Sequence, residues 1–264
     1  MKIDIVISTY NNPEAIIQIL SRIESGSHTP TSISIADDGS IDSNSSKVKE
    51  FLKDFSIKTN YYWHEDVGFR KARILNCSLQ NCRSDYIVFL DGDCLPHRHF
   101  LKDHLAMAEK GYLTQGRRCF VSEKSVPQLL ERKTTLLKLA LSGKVSGLLK
   151  SVRLPTPYIK RNKTMYGLLG CNLGVWRDDL IKINGFDEEY EGWGREDSDL
   201  CARLYNLGIS RKMVYGRALV YHLNHPENDR GNLTKNDELL NETLRSGKIW
   251  CPKGMIKLID KTKH

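Results

Sequence analysis

The sequence predicts an α/β protein in which helices flank a mixed, mainly parallel sheet. Strand-like and helix-like segments alternate over residues 1–110, a pattern typical of parallel strands connected by helices. Polar or acidic clusters follow several of the predicted strands. Because ligands bind at the carboxyl ends of the strands in such sheets, we expect the functional site at that edge.

The first strand and helix show the alternation most clearly. The apolar run IDIVI predicts a strand, and the next segment predicts a helix with Asn12 as its cap and Pro13 in its first turn. Ile16, Leu20 and Ile23 would share one face of this helix and pack against the sheet.

The same alternation continues to residue 111. Further strands are predicted at SISIA, YYWH and DYIVFL, and further helices at FRKARILNCSLQN and FLKDHLAMAEKG. Gly111 would end the last of these helices. We expect one continuous domain made of a first half (1–110), an insertion (111–165) and a second half (166–264).

The composition indicates a globular protein without membrane spans. Of the 264 residues 40% are hydrophobic and 27% charged, and no apolar run approaches the ~20 residues that a span requires. An acid interrupts the short apolar run at the N-terminus, which is unlike a signal peptide, so we expect a cytoplasmic protein. The seven cysteines form no CxxC pair, which argues against a zinc cluster or a disulfide framework.

The net charge of +8 favours an anionic partner such as a nucleotide, a phospholipid or nucleic acid, although a solubilising surface would give the same charge. In the segment 111–165 Lys and Arg are interleaved with Leu, which predicts short amphipathic helices. These could be an ordinary surface insertion, or they could contact the acceptor or an anionic membrane. The tail from about residue 228 shows little periodicity except at GMIKLID.

Two aspartates follow the predicted strand DYIVFL. Side chains alternate along a strand, so Asp91 and Asp93 are expected to point the same way. Two like charges side by side need a cation, hydrogen bonds or bulk water to compensate them. A metal site and a solvated Asp-Gly turn both explain the pair at this point.

A second acidic cluster, Glu196, Asp197 and Asp199, opens a predicted helix. Acids at a helix start are stabilised by the helix dipole, so the cluster alone does not indicate a function. Trp193 in the preceding GWG segment would place a flat apolar wall beside these carboxylates. Such a wall suits a sugar ring, and it raises the pKa of a carboxylate towards that of a general base.

Two histidines follow the strand-like run RALVY. With the Asp91 and Asp93 pair, His222 or His225 would form a mixed oxygen and nitrogen site suited to Mn²⁺, or to Mg²⁺ if the histidine does not bind. Either histidine taken alone is more simply explained as a structural residue.

Five segments in order carry a resemblance to a known family: VISTYNNPE, ADDGSID, HEDVGFRKARILN, YIVFLDGDC and GCNLGVWRDDLIKINGFDEEYEGWGREDSDL. Together, from residue 5 to about 225, they resemble a bacterial family-2 glycosyltransferase with the Rossmann-like GT-A fold. The last segment also resembles the W-G-x-E-D segment of β-galactosyltransferases, N-acetylgalactosaminyltransferases and chondroitin-type polymerases. The resemblance implies inverting transfer of a hexose or N-acetylhexosamine from a UDP-sugar to a surface glycan such as lipopolysaccharide, O-antigen or capsule.

The resemblance also implies roles for individual residues. The nucleotide-sugar would contact Thr9, Tyr10, Asn11, Asp37, Asp38, Asp66, Arg70, Arg73 and Asp91. Mn²⁺ or Mg²⁺ would be held by Asp93, Asp91 and His222, with His225 in reserve. The second half would supply the catalytic base Asp197, the acceptor-binding acid Glu196, and the sugar-binding Trp193 and Gly194. Apart from the resemblance, a basic residue stabilises the charge on a leaving diphosphate, and the loop residue Arg230 could do so on closure.

The sequence departs from some relatives of this family. It lacks the Gln-x-x-Arg-Trp segment of processive synthases, so we expect one transfer per encounter. Arg195 and Ser198 stand where animal galactosyltransferases have Trp and a third acid, so the donor sugar stays open. A metal-dependent nucleotidyltransferase acting on sugar phosphates is the alternative, although STYNNPE lacks the glycine expected in its first loop. Only the net charge favours a nucleic-acid partner, and we expect none. Contact with the inner face of the bacterial inner membrane stays open.

Overall fold

The computed structural model describes residues 1–131, 133–146, 151–225 and 230–256. The strands in chain order are β1 (Ile3–Thr9), β2 (Ser32–Asp37), β3 (Thr59–Trp63), β4 (Tyr86–Asp91), β5 (Cys94–Pro96), β6 (Tyr112–Gln115), β7 (Arg117–Val121), β8 (Tyr158–Asn162), β9 (Asn172–Trp176), β10 (Ser210–Tyr215) and β11 (Leu219–Leu223). The helices are α1 (Pro13–Glu24), α2 (Asp42–Leu52), α3 (Lys71–Leu79), α4 (Phe100–Met107), α5 (Val126–Leu130), α6 (Leu136–Leu141), α7 (Arg177–Lys182), α8 (Glu196–Asn206) and α9 (Leu233–Ser246).

The main sheet has the strand order β3-β2-β1-β4-β9-β6-β10-β8 within the described ranges. Strands β1 to β4 run parallel, with Ile5 opposite Ile33 on one side and Val88 on the other. Strand β9 runs antiparallel to β4 and β6, and β8 runs antiparallel to β10. The predicted α/β class with a mixed, mainly parallel sheet is confirmed.

The core lies on both faces of this sheet because successive side chains of a strand point to opposite faces. Ile5 and Ile7 of β1 pack on the face covered by α1, α2 and α4, and Val6 packs on the face covered by α3, α7 and α8. The predicted inward face of α1 is buried as expected.

A smaller sheet with the order β5-β11-β7 adjoins the carboxyl end of β4. His222 of β11 lies opposite Cys94 of β5 and Phe120 of β7. The backbone N–H of Leu223 donates a hydrogen bond of 2.8 Å to the carbonyl of Asp93. This pairing brings the end of β11 beside the loop that follows β4.

Several expected elements differ in the structure. Helix α4 ends at Met107, and Gly111, with a φ of +82°, belongs to the turn before β6. The segment 111–165 contains the expected short helices α5 and α6, but it also supplies strands β6, β7 and β8 to the two sheets. Its composition suits helices, whereas the strands are set by pairing with partners distant in sequence.

The tail also differs from the expected polar, aperiodic segment, because it forms the fourteen-residue helix α9. The buried residues of α9 are Asn236, Leu240 and Thr243, so a largely polar inward face conceals the helical period. Most of GMIKLID lies outside the described residues. None of the helices in the described ranges has the length and apolar character needed to cross a bilayer.

Candidate functional site

Asp91 ends β4 and is joined to the second half of the protein by a lysine. Its Oδ1 accepts hydrogen bonds from Ser8 Oγ at 2.9 Å and from Lys71 Nζ at 2.7 Å. Lys71 Nζ also lies 3.5 Å from Oε1 of Glu196. Burial lowers the pKa of Lys71, but Asp91 and Glu196 outweigh burial and raise it well above its usual value. Lys71 is therefore a cation between the two acidic clusters.

Asp93 lies among different partners from Asp91. Its Oδ2 is 3.3 Å from Nε2 of His222 and 3.0 Å from Nε2 of His225. Burial by itself would raise the pKa of Asp93, but the contacts with the two imidazoles hold it well below its usual range. The two aspartates therefore have separate partners, and β4 ends at Asp91, so the regular alternation of a strand does not extend to Asp93.

The donor set around Asp93 fits a divalent transition-metal ion. Asp93, His222 and His225 each offer one ligand atom, and these atoms lie within 4.8 Å of one another. Ligand atoms about 2.1 Å from one ion and at right angles to each other lie about 3 Å apart, close to the two measured separations. The reserve histidine, His225, is thus placed with His222, whereas the carboxylate of Asp91 is engaged by Lys71.

Glu196 is the first residue of α8 and is almost fully buried. Burial raises its pKa to about 7, the charges of Asp197 and Asp91 act in the same direction, and Lys71 opposes the shift. Its Oε2 atom is buried and has no hydrogen-bond partner among the described residues. A buried carboxylate with a vacant acceptor atom is suited to receive a hydroxyl hydrogen bond.

Asp197 is half-buried at the same helix start. Its Oδ1 accepts a hydrogen bond of 2.7 Å from the backbone N–H of Ser198. Its Oδ2 packs on Gly170, where an added Cβ would lie 2.1 Å from that oxygen. The loop before β9 therefore shapes the position of this carboxylate.

The GWG segment is fixed by both halves of the chain. Gly192 N–H donates to the carbonyl of Phe69 at 2.9 Å, and Nδ2 of Asn236 on α9 donates to the carbonyl of Gly194 at 2.9 Å. The guanidinium of Arg230 lies 5.1 Å from the centre of a Trp193 ring. The predicted sugar-binding wall is thus held by the helix that the sequence did not reveal.

The two aspartates after β2 serve different purposes. Asp37 is fully buried, and its carboxylate accepts hydrogen bonds from Ser40 N–H and the Tyr61 hydroxyl, so it supports the loop from within. Asp38 accepts from His64 Nε2 at 2.7 Å and from Arg70 N–H at 3.0 Å. Burial raises the pKa of Asp38, and these contacts partly offset that effect.

The remaining residues predicted to contact the nucleotide lie in the loops after β1 and β3 and at the start of α3. The Tyr10 hydroxyl donates to Asp66 Oδ2 at 2.8 Å, and Asn11 Oδ1 accepts from Ile41 N–H at 3.0 Å. The carbonyl of Thr9 accepts from the N–H of Asp38 at 2.9 Å. Arg70 precedes α3 and is half-buried, whereas Arg73 is exposed on the first turn of α3.

Several residues that organise the site were not predicted from the sequence. Lys71 and His64 lie inside the segment HEDVGFRKARILN, where a basic residue close to a predicted nucleotide contact was the available signal. Gly170 precedes Cys171 in GCNLG, but only the folded structure shows that Asp197 packs against it.

Comparison with known proteins identifies related families. The model for glycosyl transferase family 2 matches residues 4–176, and the model described as the N-terminal domain of galactosyltransferase matches residues 152–226. Chondroitin synthase of Escherichia coli is 24% identical over 242 residues, which are 85% of this chain and 35% of that protein. The chain thus spans about a third of that relative's length.

Solved structures share the fold at low sequence identity. Staphylococcus aureus TarS in complex with UDP-GlcNAc matches 91% of this chain and 65% of its own, with a TM-score of 0.62 and 14% identity. A mannosyltransferase of Pyrobaculum calidifontis in complex with GDP-Man and Mn²⁺ matches 84% of this chain and 56% of its own, with a TM-score of 0.56 and 17% identity. These matches show the GT-A fold predicted from the sequence.

Proposed function

The chain belongs to glycosyl transferase family 2, and we propose that it is an inverting, non-processive enzyme that transfers a hexose or N-acetylhexosamine from a UDP-sugar. One observation carries the proposal: Lys71 joins Asp91, at the end of the nucleotide half, to Glu196, beside the predicted base. Asp91 ends β4, so the acidic pair Glu196 and Asp197 and the candidate metal cluster around Asp93 adjoin the same sheet edge. This is the arrangement needed to activate a leaving diphosphate and an acceptor hydroxyl together.

A nucleotide-sugar donor is supported by the residues around Asp38 and by the solved structures that share the fold. Asp38 and Asp66 are held near the carboxyl ends of β2 and β3, where an open sheet binds nucleotides. TarS structures are described with UDP and with UDP-GlcNAc. We therefore take UDP as the carrier and leave the sugar undefined.

We propose Mn²⁺, rather than Mg²⁺, as the resident ion, held by Asp93, His222 and His225. Imidazole nitrogens suit transition ions, whereas Mg²⁺ prefers an all-oxygen shell. The bound ion would supply Lewis-acid stabilisation of the charge that develops on the leaving diphosphate. Asp91 then serves the ribose or the ion through water, and Lys71 compensates its charge.

Asp197 is proposed to take the proton of the acceptor hydroxyl, and Glu196 to accept a hydrogen bond from that hydroxyl. A hydroxyl has a pKa far above 7, so its proton must leave as the new glycosidic bond forms. Trp193 would flank the acceptor ring, with Gly194 allowing close approach. Attack from the face opposite the diphosphate inverts the anomeric carbon.

The acceptor is proposed to be a surface glycan of the lipopolysaccharide, O-antigen or capsule type. The similarity to a protein named chondroitin synthase supports a polysaccharide product. If such a glycan is built on a lipid carrier, the reaction would take place at the cytoplasmic face of a bacterial inner membrane.

Release of nucleoside diphosphate from a panel of UDP-, GDP-, dTDP- and CMP-sugars with Mn²⁺ tests this function. We expect slow, EDTA-sensitive hydrolysis of one UDP-sugar, and its loss in Asp93→Ala. If no sugar nucleotide reacts, binding is measured by saturation-transfer NMR with UDP alone, and failure to bind UDP would refute the transferase proposal.

A further inference from the structure

The positive charge of the chain is concentrated between Glu131 and Asp178. This stretch contains ten Lys and Arg residues and no Asp or Glu, whereas the rest of the chain has 30 Lys and Arg against 32 Asp and Glu. The net charge of +8 therefore originates in this one stretch. Charge localised in this way favours an anionic partner bound at one place over general solubility.

Helix α6 exposes two leucines within this basic stretch. Leu137 and Leu141 are 69% and 70% exposed and lie one helical turn apart. On the opposite side of the helix, Leu139 and Ala140 are buried in the core. The helix is apolar on both sides, although a surface helix normally presents polar residues to water.

Lysines accompany these leucines. Lys138 in α6 and Lys144 just after it are both exposed, and we call Leu137, Leu141, Lys138 and Lys144 the α6 surface. Other basic residues of the stretch are engaged elsewhere, since Arg153 pairs with Asp103 and Arg161 with Glu109. The α6 surface thus combines exposed apolar and cationic side chains without an acid among them.

The α6 surface is connected to the candidate metal cluster through β7. Val145 forms an isolated antiparallel β-bridge with Val121, and Ser146 N–H donates a hydrogen bond of 2.8 Å to the carbonyl of Phe120. The ring of Phe120 in turn lies 5.3 Å from the ring of His222. A partner on the α6 surface would therefore be held near the site.

We propose that the α6 surface docks the protein on an anionic lipid bilayer. Leu137 and Leu141 enter the boundary between headgroups and acyl chains, while Lys138 and Lys144 contact anionic headgroups. An acidic polysaccharide would account for the lysines but would leave the two leucines in water, which favours lipid. The docking itself depends only on the α6 surface. The further inference that docking holds a lipid-linked acceptor beside the site rests on the proposed function.

Co-sedimentation of the full chain with vesicles tests the docking. We expect binding to mixed phosphatidylcholine and phosphatidylglycerol vesicles, weakened by salt, and none to phosphatidylcholine alone. Leu137→Ser with Leu141→Ser should weaken binding at least ~10-fold, and Lys138→Gln with Lys144→Gln should weaken it by ~10-fold or more. Matched controls are Leu244→Ser, at a half-exposed leucine of α9, and the exposed pair Lys58→Gln with Lys235→Gln; neither should change binding.

Two results would overturn the docking proposal. One is equal binding of the leucine variant and the unaltered chain. The other is displacement from vesicles by dextran sulfate together with direct, leucine-independent binding of that polymer, which would identify a polyanion site. Donor hydrolysis in solution should be the same in the leucine variant and the unaltered chain, so failure of docking and failure of the proposed chemistry are separate outcomes.

Discussion

Gly170 lies against the carboxylate of Asp197 so closely that a Cβ built on Gly170 would be 2.1 Å from Oδ2. The backbone before Gly170 is held in place, because Oε1 of the buried Gln115 accepts a hydrogen bond from Leu169 N–H and another from Arg211. A side chain at residue 170 must therefore displace Asp197 rather than its own loop.

Gly170→Ala should lower turnover by roughly 10²-fold, since displacement of a catalytic group by about 1 Å has that effect. Binding of UDP with Mn²⁺, measured by calorimetry, should stay near that of the unaltered protein because the heavy atoms nearest an added Cβ at Gly170 belong to Asp197. Unaltered turnover in this variant would show that the position of Asp197 does not matter for the reaction.

The pH dependence of turnover should follow Glu196. Its pKa is raised to about 7, mainly by burial. In the proposed reaction the ionised carboxylate accepts a hydrogen bond from the hydroxyl of the acceptor sugar. Because the ionised fraction rises about tenfold between pH 6 and pH 8, turnover should rise by the same factor. Glu196→Gln should remove this rise, and the exposed control Glu242→Gln should keep it.

Glu196 should also affect the stability of the fold, and its contribution should fall as pH rises, whereas turnover rises. Because its folded-state pKa lies above the unfolded value of 4.5, its stabilising contribution is complete below pH 4.5 and is lost as pH rises through 7. Relative to the unaltered protein, Glu196→Gln should gain about 3 kcal/mol of unfolding free energy between pH 4.5 and pH 8. Urea unfolding at the two pH values measures this change, and an unchanged difference would contradict the raised pKa.

Both histidines near Asp93 should contribute to metal affinity. His222→Ala and His225→Ala should each weaken Mn²⁺ binding by ~10-fold or more, since each removes one nitrogen ligand. The EPR signal of free Mn²⁺ reports this affinity without turnover, and His28→Ala serves as the control. If only His222→Ala weakens binding, the two-histidine set is wrong.

A buried ion pair should stabilise the helix that carries the acidic cluster. Arg203 Nε donates to Asp199 Oδ2 at 2.7 Å, and both side chains are fully buried. Arg203→Leu leaves Asp199 buried without its cation and should cost about 3–5 kcal/mol of unfolding free energy. Adding Asp199→Asn should recover part of this loss, and urea unfolding of both variants tests the expectation.

Most of the parallel half of the fold was predictable because its sequence agrees with its structure, but helix α2 was not predicted, and its buried residues are Ser45 and Val48, which form no apolar stripe. Strand β1 is apolar, Pro13 begins α1, and Ile16, Leu20 and Ile23 are buried as their spacing indicated. Helix α9 was not predictable, since Asn236 and Thr243 are buried for hydrogen bonding rather than for apolar packing.

The site was predictable only in part. Resemblance to a family indicated Asp93, His222 and Asp197, and the structure places His225 with His222 around Asp93. The resemblance could not indicate that Lys71 donates a hydrogen bond to Asp91, because that contact depends on how α3 packs beside β4. Contacts between segments distant in sequence leave no period or spacing to detect.

Whether Asp197 acts as the base in a metal-dependent sugar transfer is best tested by comparing ligand binding with turnover in Asp197→Asn. We predict that this variant binds UDP and Mn²⁺ like the unaltered chain, while turnover of the reactive UDP-sugar with its acceptor falls roughly 10²–10⁴-fold. Transfer at the unaltered rate by Asp197→Asn would contradict the account.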